Sequence, residues 1–282
     1  MKSKYYRLSI LVIVTILSGL FLYRTAIIEV VSAVLHREGS SHGFFIPFLS
    51  GFFIWTKRDI IRKIKPQYDF LGLPLLALGF LPLIIKFGTY HLYFIGFIFF
   101  VAGMIFTVFG RNYFKCIAFP LFFLITMTPI TGDVYIQVAD YMRHITFSGS
   151  LFIIPLFKIP FYREGWLMQL PNASLEVAIS CSGIRYLISY FIFGLAYAYL
   201  FKTTLFSRIT LVALTIPISI TASIFRLTAI FVLTYIFGPQ MAKYWPHVLI
   251  SWSVFFAVLV LAIVSDQFFK KRQKEIGESP SN

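Results

Sequence analysis

The chain has 282 residues, of which 59% are hydrophobic and only 13% are charged. Soluble proteins carry roughly 25% charged residues, so this composition excludes an ordinary soluble protein and indicates an integral membrane protein. The net charge of +14 is not evidence of nucleic-acid binding, because the basic residues lie in short loops beside apolar runs. No nucleic-acid-binding motif accompanies them, and we expect no nucleic-acid partner.

Apolar runs of about the length that crosses a bilayer recur along the chain. They predict an all-α fold: a polytopic transmembrane helical bundle of about eight spans. The first run lacks a small-residue cleavage site and is interpreted as a retained helix, while the second is short for a full span. We expect one integral membrane domain over 1–269 and a basic, polar cytoplasmic tail over 270–282. The predicted spans are 8–23, 43–55, 70–86, 91–109, 116–130, 185–200, 209–237 and 248–268.

The distribution of Lys and Arg residues predicts the orientation in the membrane. Short loops on the cytoplasmic side of a membrane protein are enriched in these residues. By this rule both termini are cytoplasmic, and the long stretch from Thr131 to Gly183 lies outside the cytoplasm. The residues that decide the orientation are Lys2, Lys4, Arg7, Lys57, Arg58, Arg62, Lys63, Lys65, Arg111, Lys115, Lys202, Arg208, Lys270, Lys271, Arg272 and Lys274.

The long outer stretch contains segments of different character. Residues 133–147 have an amphipathic pattern, and residues 151–160 form an apolar piece. Residues 170–181 are rich in small and β-branched side chains, which favours extended or irregular structure. This last segment ends at one of the two cysteines of the chain.

Three reactive side chains fall at the same predicted depth, near the outer membrane surface. Cys181 precedes the sixth predicted span, Arg226 lies towards the outer end of the seventh, and His247 precedes the eighth. A thiol, a guanidinium and an imidazole are the groups that a cysteine acyl-transfer site uses. We therefore predict an active site built from these three residues.

Each of the three residues also has a structural interpretation. A membrane cysteine is more often a small apolar residue, but Ser182 and Gly183 follow Cys181 at a predicted helix start, where free N–H groups stabilise a thiolate or an oxyanion. An arginine inside an apolar span costs at least about 2.5 kcal/mol, and the alternative to a functional role is snorkelling to the interface. A lone interfacial histidine such as His247 is most often a polar loop residue.

Further polar residues are supporting candidates. Arg185 lies four residues after Cys181, on the same helix face. It is a candidate to hold the thiolate or a substrate carbonyl, and the alternative is that it only anchors the helix at the headgroups. Glu176 is a candidate to orient His247 or Arg226, with a loop salt bridge as the alternative. His42 reaches the outer side in the predicted topology and is a candidate substrate-side residue. The histidines and the two cysteines show no metal-ligand spacing, and no metal or cofactor is predicted.

The segment Cys181-Ser-Gly-Ile-Arg-Tyr-Leu187 closely resembles the nucleophile motif of the exosortase/archaeosortase family. The resemblance extends over about residues 40–265, and its further motifs include Arg163-Glu-Gly165, Ala222-x-x-x-Arg226 and His247-x-x-x-x-Trp252. The family often has Asn three residues before the arginine and Gly before the tryptophan. Here Ser223 and Ser251 stand at these positions, which indicates a divergent branch.

The resemblance implies a membrane-embedded cysteine protease or transpeptidase at the outer face of the inner membrane. Its expected partners are exported proteins that carry a PEP-CTERM-like C-terminal sorting signal: a short motif such as Pro-Glu-Pro, a transmembrane helix and a basic cluster. Membrane lipid and a separate accessory subunit are further expected partners. The division of roles between Arg226 and His247 stays open, as does the final acceptor. The alternatives are a transporter and a polysaccharide-export assembly protein without peptidase activity.

Overall fold

The computed structural model describes residues 14–15, 17–36, 41–86, 89–128, 132–242 and 244–277. It separates into two compact units, Met1–Ile130 and Thr131–Asn282. Most of the described residues are helical, as the composition predicts, and a small β-sheet is present in the second unit. The single integral domain predicted over 1–269 stays a prediction.

The first unit is a set of mostly apolar helices with three short 3-10 segments. The breaks have local causes, since Pro follows the first residue of two helices and a left-handed Gly110 (φ 83°) ends another. The 3-10 segments are Ser41–Phe45, Phe70–Gly72 and Leu124–Met127. The helices are α1 (Arg24–His36), α2 (Ile46–Thr56), α3 (Arg58–Ile61), α4 (Leu73–Ile85), α5 (Tyr90–Phe109) and α6 (Arg111–Phe123).

Helices α4 and α5 approach each other closely because glycines lie at their contact. A Cβ atom added to Gly103 would lie 2.3 Å from the backbone nitrogen of Leu76, and one added to Gly79 would lie 2.6 Å from that of Phe100. Small residues of this kind let membrane helices pack backbone against backbone. Van der Waals contact stabilises such pairs, because the hydrophobic effect does not drive helix association within lipid.

The second unit combines long helices with a three-stranded sheet. Helix α9 begins after Thr204, whose side chain accepts a hydrogen bond from Ser207 N at 3.3 Å, and ends at the left-handed Gly238. The 3-10 segments are Ile154–Phe157, Ile179–Cys181 and Pro239–Ala242. The elements are α7 (Asp133–Ile153), β1 (Tyr162–Glu164), β2 (Leu167–Leu170), β3 (Ala173–Glu176), α8 (Ile184–Phe201), α9 (Leu205–Phe237) and α10 (Tyr244–Gly277).

The sheet is a meander of two tight hairpins, with antiparallel strands in the order β1-β2-β3. Gly165 (φ 58°) is the first residue of the two-residue turn between β1 and β2, a position that requires positive φ in hairpin turns. At the second turn, the Asn172 amide donates to Thr234 O (3.1 Å) and Tyr235 O (2.8 Å) in the last turn of α9. These bonds attach the sheet to the end of α9.

The observed helices agree with six of the predicted spans to different degrees. Within the described part of the chain, three segments are long and apolar enough to cross a membrane: Tyr90–Phe109, Ile179–Phe201 and Leu205–Phe237. Three shorter apolar segments, Gly43–Thr56, Phe70–Ile85 and Val248–Leu261, match the second, third and eighth predicted spans. The first predicted span lies partly outside the described residues, and the fifth is divided between α6 and a 3-10 turn. The number of eight spans and the orientation stay predictions.

Candidate active site

Cys181 lies at a tight turn between the sheet and helix α8. It ends the 3-10 segment, and its N–H donates to Ala178 O at 2.9 Å. The Ser182 N–H donates to Ile179 O at 3.0 Å, so this N–H is used within the turn. Gly183 then adopts the left-handed conformation (φ 85°) as the N-cap of α8. No described residue accepts the Gly183 N–H, which lies two residues after the thiol.

Gly183 and Ser223 bring the turn into direct contact with α9. A Cβ atom on residue 183 would lie 2.0 Å from Ser223 Oγ, so only a glycine fits against this helix. Ser223 is fully buried, and its hydroxyl donates to Ser219 O at 2.8 Å within α9. The small residue at position 223 therefore sets how close the cysteine turn lies to α9.

Arg226 connects α9 to the cysteine turn. Its Nη2 donates to the backbone oxygen of Cys181 at 2.7 Å, and only 6% of the residue is exposed. The guanidinium carbon also lies 5.0 Å from the ring centroid of Tyr186, in a cation–π contact. Its buried Nε has no hydrogen-bond partner among the described residues. The structure thus brings Cys181 and Arg226 together through the main chain of the cysteine.

The side chain of Cys181 is half-buried and packs against an apolar cluster of the second unit. Phe147 of α7, Met168 of β2 and Leu227 of α9 are among the buried members of this cluster. The side chain of Cys181 therefore contacts an apolar surface, while the main-chain oxygen of the same residue accepts the hydrogen bond from Arg226. Charge interactions are stronger in such a poorly hydrated place than in water.

Two residues that the sequence analysis did not single out complete this arrangement. The Tyr186 hydroxyl donates to Ser251 O in α10, so the ring that stacks on Arg226 also links α8 to α10. The Thr146 hydroxyl of α7 donates to Ser182 O at 3.1 Å. Tyr186 is part of the cysteine motif, and its contact with Arg226 could have been predicted because a buried arginine often packs on an aromatic ring. Nothing in the sequence around Thr146 indicates its contact.

The remaining predicted site residues lie on several different elements. Arg185 is half-buried in the first turn of α8, four residues after Cys181. Glu176 is exposed at the end of β3 and makes no ion pair within the described part of the chain. His247 lies in the first turn of α10 and His42 in a 3-10 segment of the first unit, but both side chains lie outside the described part of the structure.

A metal centre finds no support among the residues that the structure describes, since none of their His, Cys, Asp and Glu side chains form a group of three. Both cysteines are free. Among the described residues, the site brings together a thiol, a buried guanidinium and main-chain N–H groups.

These features define a helical membrane protein with a cysteine–arginine centre. The model of the transmembrane exosortase family matches residues 32–264, and the chain belongs to this family. Exosortases are membrane cysteine peptidases or transpeptidases, so the chain is a membrane enzyme of this broad kind. No curated protein and no solved structure matches the chain.

Proposed function

We propose that the enzyme cleaves the C-terminal sorting signals of exported proteins at the outer face of the inner membrane. The proposed reaction passes through an acyl-thioester on Cys181. The observation that supports it best is the 2.7 Å hydrogen bond from the buried Arg226 to Cys181 O, because it fixes the nucleophile's main chain with a permanent cation. A signal of motif, transmembrane helix and basic cluster is the proposed substrate.

In the proposed acylation step, the Cys181 thiolate attacks the carbonyl carbon of the scissile peptide bond. The carbon–nitrogen bond then breaks, the thioester forms, and the leaving amine takes a proton from His247. In the second step an acceptor gives its proton to His247 and attacks the thioester, which releases the thiolate. Water as acceptor gives hydrolysis, whereas an amine or a hydroxyl of a surface molecule or lipid gives transfer.

Arg226 contributes in two ways in this proposal. It holds the cysteine turn in place, and it supplies positive charge for the thiolate and the oxyanion in a poorly hydrated site. The unpartnered Gly183 N–H is a second candidate donor to the oxyanion. Arg226 and His247 share charge stabilisation and proton transfer in this proposal, and reporter processing by the variants Arg226→Lys and His247→Ala separates their contributions.

The test is processing of a co-expressed secreted reporter that ends in a Pro-Glu-Pro motif, a transmembrane helix and a basic cluster. We expect the wild-type enzyme to remove the C-terminal helix, and Cys181→Ala to leave the reporter intact. Cys116→Ala is the matched control and should process normally. The intact mass of the product distinguishes hydrolysis from transfer. Processing by Cys181→Ala at the wild-type rate would overturn the thioester mechanism.

The histidine is tested in the same assay. We expect His247→Ala to slow processing by roughly 100-fold or more, the usual contribution of a general acid–base residue. His144 on α7 is the matched control, because its exposed imidazole contacts Trp166 at 4.3 Å between ring centroids and has no part in the proposed reaction. If His144→Ala lost processing and His247→Ala did not, the proposed assignment of the proton transfer to His247 would be wrong.

A transporter and a polysaccharide-export assembly protein are the rival functions. In these alternatives Arg226 binds an ion or makes a structural contact, and Cys181 takes part in no reaction. Full biological activity of the host with Cys181→Ala would favour these rivals over the enzyme.

A further inference from the structure

Strand β3 has one edge that no described strand covers. In an antiparallel pair, residues that exchange hydrogen bonds alternate with residues that do not. Val177 N donates to Trp166 O at 2.9 Å, and the register then makes Leu175 and Ala173 the residues that bond to β2. The N–H and C=O groups of the remaining two residues, Ser174 and Glu176, point away from the sheet.

The uncovered edge is exposed and polar. Ser174 and Glu176 are both exposed, while the alternate residues of β3 are half-buried. No described residue bonds to the main chain of either. Such an edge does not occur in the hydrocarbon region of a membrane, because each unpaired group costs several kcal/mol there. The edge therefore lies in water or is paired by another extended chain.

The edge also leads directly to the nucleophile. Glu176 ends β3, and the chain continues through two residues to the 3-10 segment that ends at Cys181. One face of the sheet is held in place, because Met168 and Val177 are buried in the apolar cluster that contacts Cys181. A peptide laid along β3 is thus held at a constant position relative to the thiol.

We propose that the outer edge of β3 binds the substrate polypeptide as an added β-strand and leads its scissile bond to Cys181. This inference rests on the proposed function, and it assigns Ser174 and Glu176 as main-chain binding positions. Strand addition supplies affinity through main-chain hydrogen bonds and is independent of most substrate side chains. It selects an extended segment, so that a substrate helix has to end before the cleavage site.

The first test is disulfide cross-linking to the reporter described above. The enzyme carries Cys116→Ala, Cys181→Ala and Ser174→Cys, and the reporter carries one cysteine at successive positions around its cleavage site. Strand pairing places every second substrate side chain on the face of Ser174, so we expect cross-linking that alternates with a period of two. Tyr162→Cys is the matched control, because Tyr162 is exposed on the far edge strand, in register with Gln169 and through it with Ser174.

The second test removes one edge donor without touching the ladder. Ser174→Pro deletes an N–H that faces away from β2, and proline is tolerated at such edge positions. We expect processing to slow roughly two- to tenfold, the value of one hydrogen bond. Tyr162→Ala, on the far edge strand, is the control variant and should process at the wild-type rate. The thermal unfolding midpoint of the purified Ser174→Pro variant in detergent checks that the fold is retained.

The outcomes separate the two proposals. Processing of the reporter by wild type, combined with cross-links that show no alternation, would overturn the added strand and leave the proposed function intact. Wild-type processing by a folded Ser174→Pro variant would do the same. If Ser174→Pro fails to fold, the cross-linking pattern alone decides. A reporter that the wild-type enzyme leaves uncut, while its cysteines still cross-link with a period of two, would overturn the proposed function and keep the binding edge.

Discussion

Gly183 is constrained twice at the residue scale, by its backbone and by its neighbour. Its φ of 85° lies in the left-handed region, which costs other residues about 1–2 kcal/mol, and a Cβ atom would lie 2.0 Å from Ser223 Oγ. We predict that Gly183→Ala lowers stability by about 2–4 kcal/mol, since overpacking adds to the conformational cost. The measurement is the thermal unfolding midpoint of the purified enzyme in detergent.

Gly165 provides the control for this prediction. It also has positive φ (58°), but a Cβ atom there would meet nothing within 4 Å. Gly165→Ala should therefore show only the conformational part of the loss. Equal losses in the two variants would mean that the contact between the cysteine turn and α9 is looser than the structure shows.

A second prediction at this scale concerns the shape of the Arg226 side chain. Lysine keeps the charge but cannot hold the Cys181 carbonyl and stack on Tyr186 at the same time, because it lacks the planar fork. We predict that Arg226→Lys slows reporter processing at least roughly tenfold, the value of a charge-assisted hydrogen bond. Arg208 of the same helix donates to Lys202 O at 2.9 Å, and Arg208→Lys should process normally. An Arg226→Lys variant with full activity would show that charge alone suffices.

Cys181 and Arg226 were recognisable in the sequence for physical reasons. A charged side chain in an apolar span is costly enough to need a purpose, and the cysteine precedes a helix start marked by Ser and Gly. The contacts that complete the arrangement were not recognisable in the same way. The bond from Thr146 to the cysteine turn depends on how α7 packs, and a threonine hydroxyl leaves no pattern in the sequence that indicates its distant partner.

At the scale of elements, the glycine contact between α4 and α5 gives a further prediction. Gly103→Val places a branched side chain where even a Cβ atom would lie 2.3 Å from backbone, so the two helices have to separate. We predict a loss of about 1–3 kcal/mol or more, seen as a lower unfolding midpoint and broader size-exclusion profile in detergent. Gly51 of α2 faces open space, and Gly51→Val should change stability by less than about 0.5 kcal/mol. Similar losses in both variants would contradict the close helix contact.

The long apolar runs predicted helices well because their signal is composition, which needs no knowledge of partners. The short strands were harder. Residues 170–181 were expected to be extended or irregular, and β3 and the end of β2 lie there, but β1 and the hairpin register depend on tertiary contacts. The same holds for helix ends, since α7 continues to Ile153 beyond the amphipathic segment predicted over 133–147.

The whole molecule has two natural reporters of its orientation, Cys116 and Cys181. The predicted topology places them on opposite sides of the membrane. We predict that a membrane-impermeant thiol reagent added to spheroplasts labels Cys116→Ala through its remaining cysteine, whereas Cys181→Ala is labelled only after the membrane is permeabilised. Both thiols are partly exposed, so burial does not prevent labelling. The reverse pattern would invert the topology and move the proposed site to the cytoplasm.

The hydrogen bond between Arg226 and Cys181 joins residues that are 45 positions apart in the chain. A ribosome needs about 2–9 s to synthesise that length, at roughly 5–20 residues per second. During this interval a growing chain holds the thiol without its arginine, and the turn before α8 lacks the helix against which it packs. The contact between Cys181 and Arg226 is therefore absent while the chain is being synthesised up to Arg226. The site is completed only when α9, which carries Arg226, has been made and has packed against the cysteine turn.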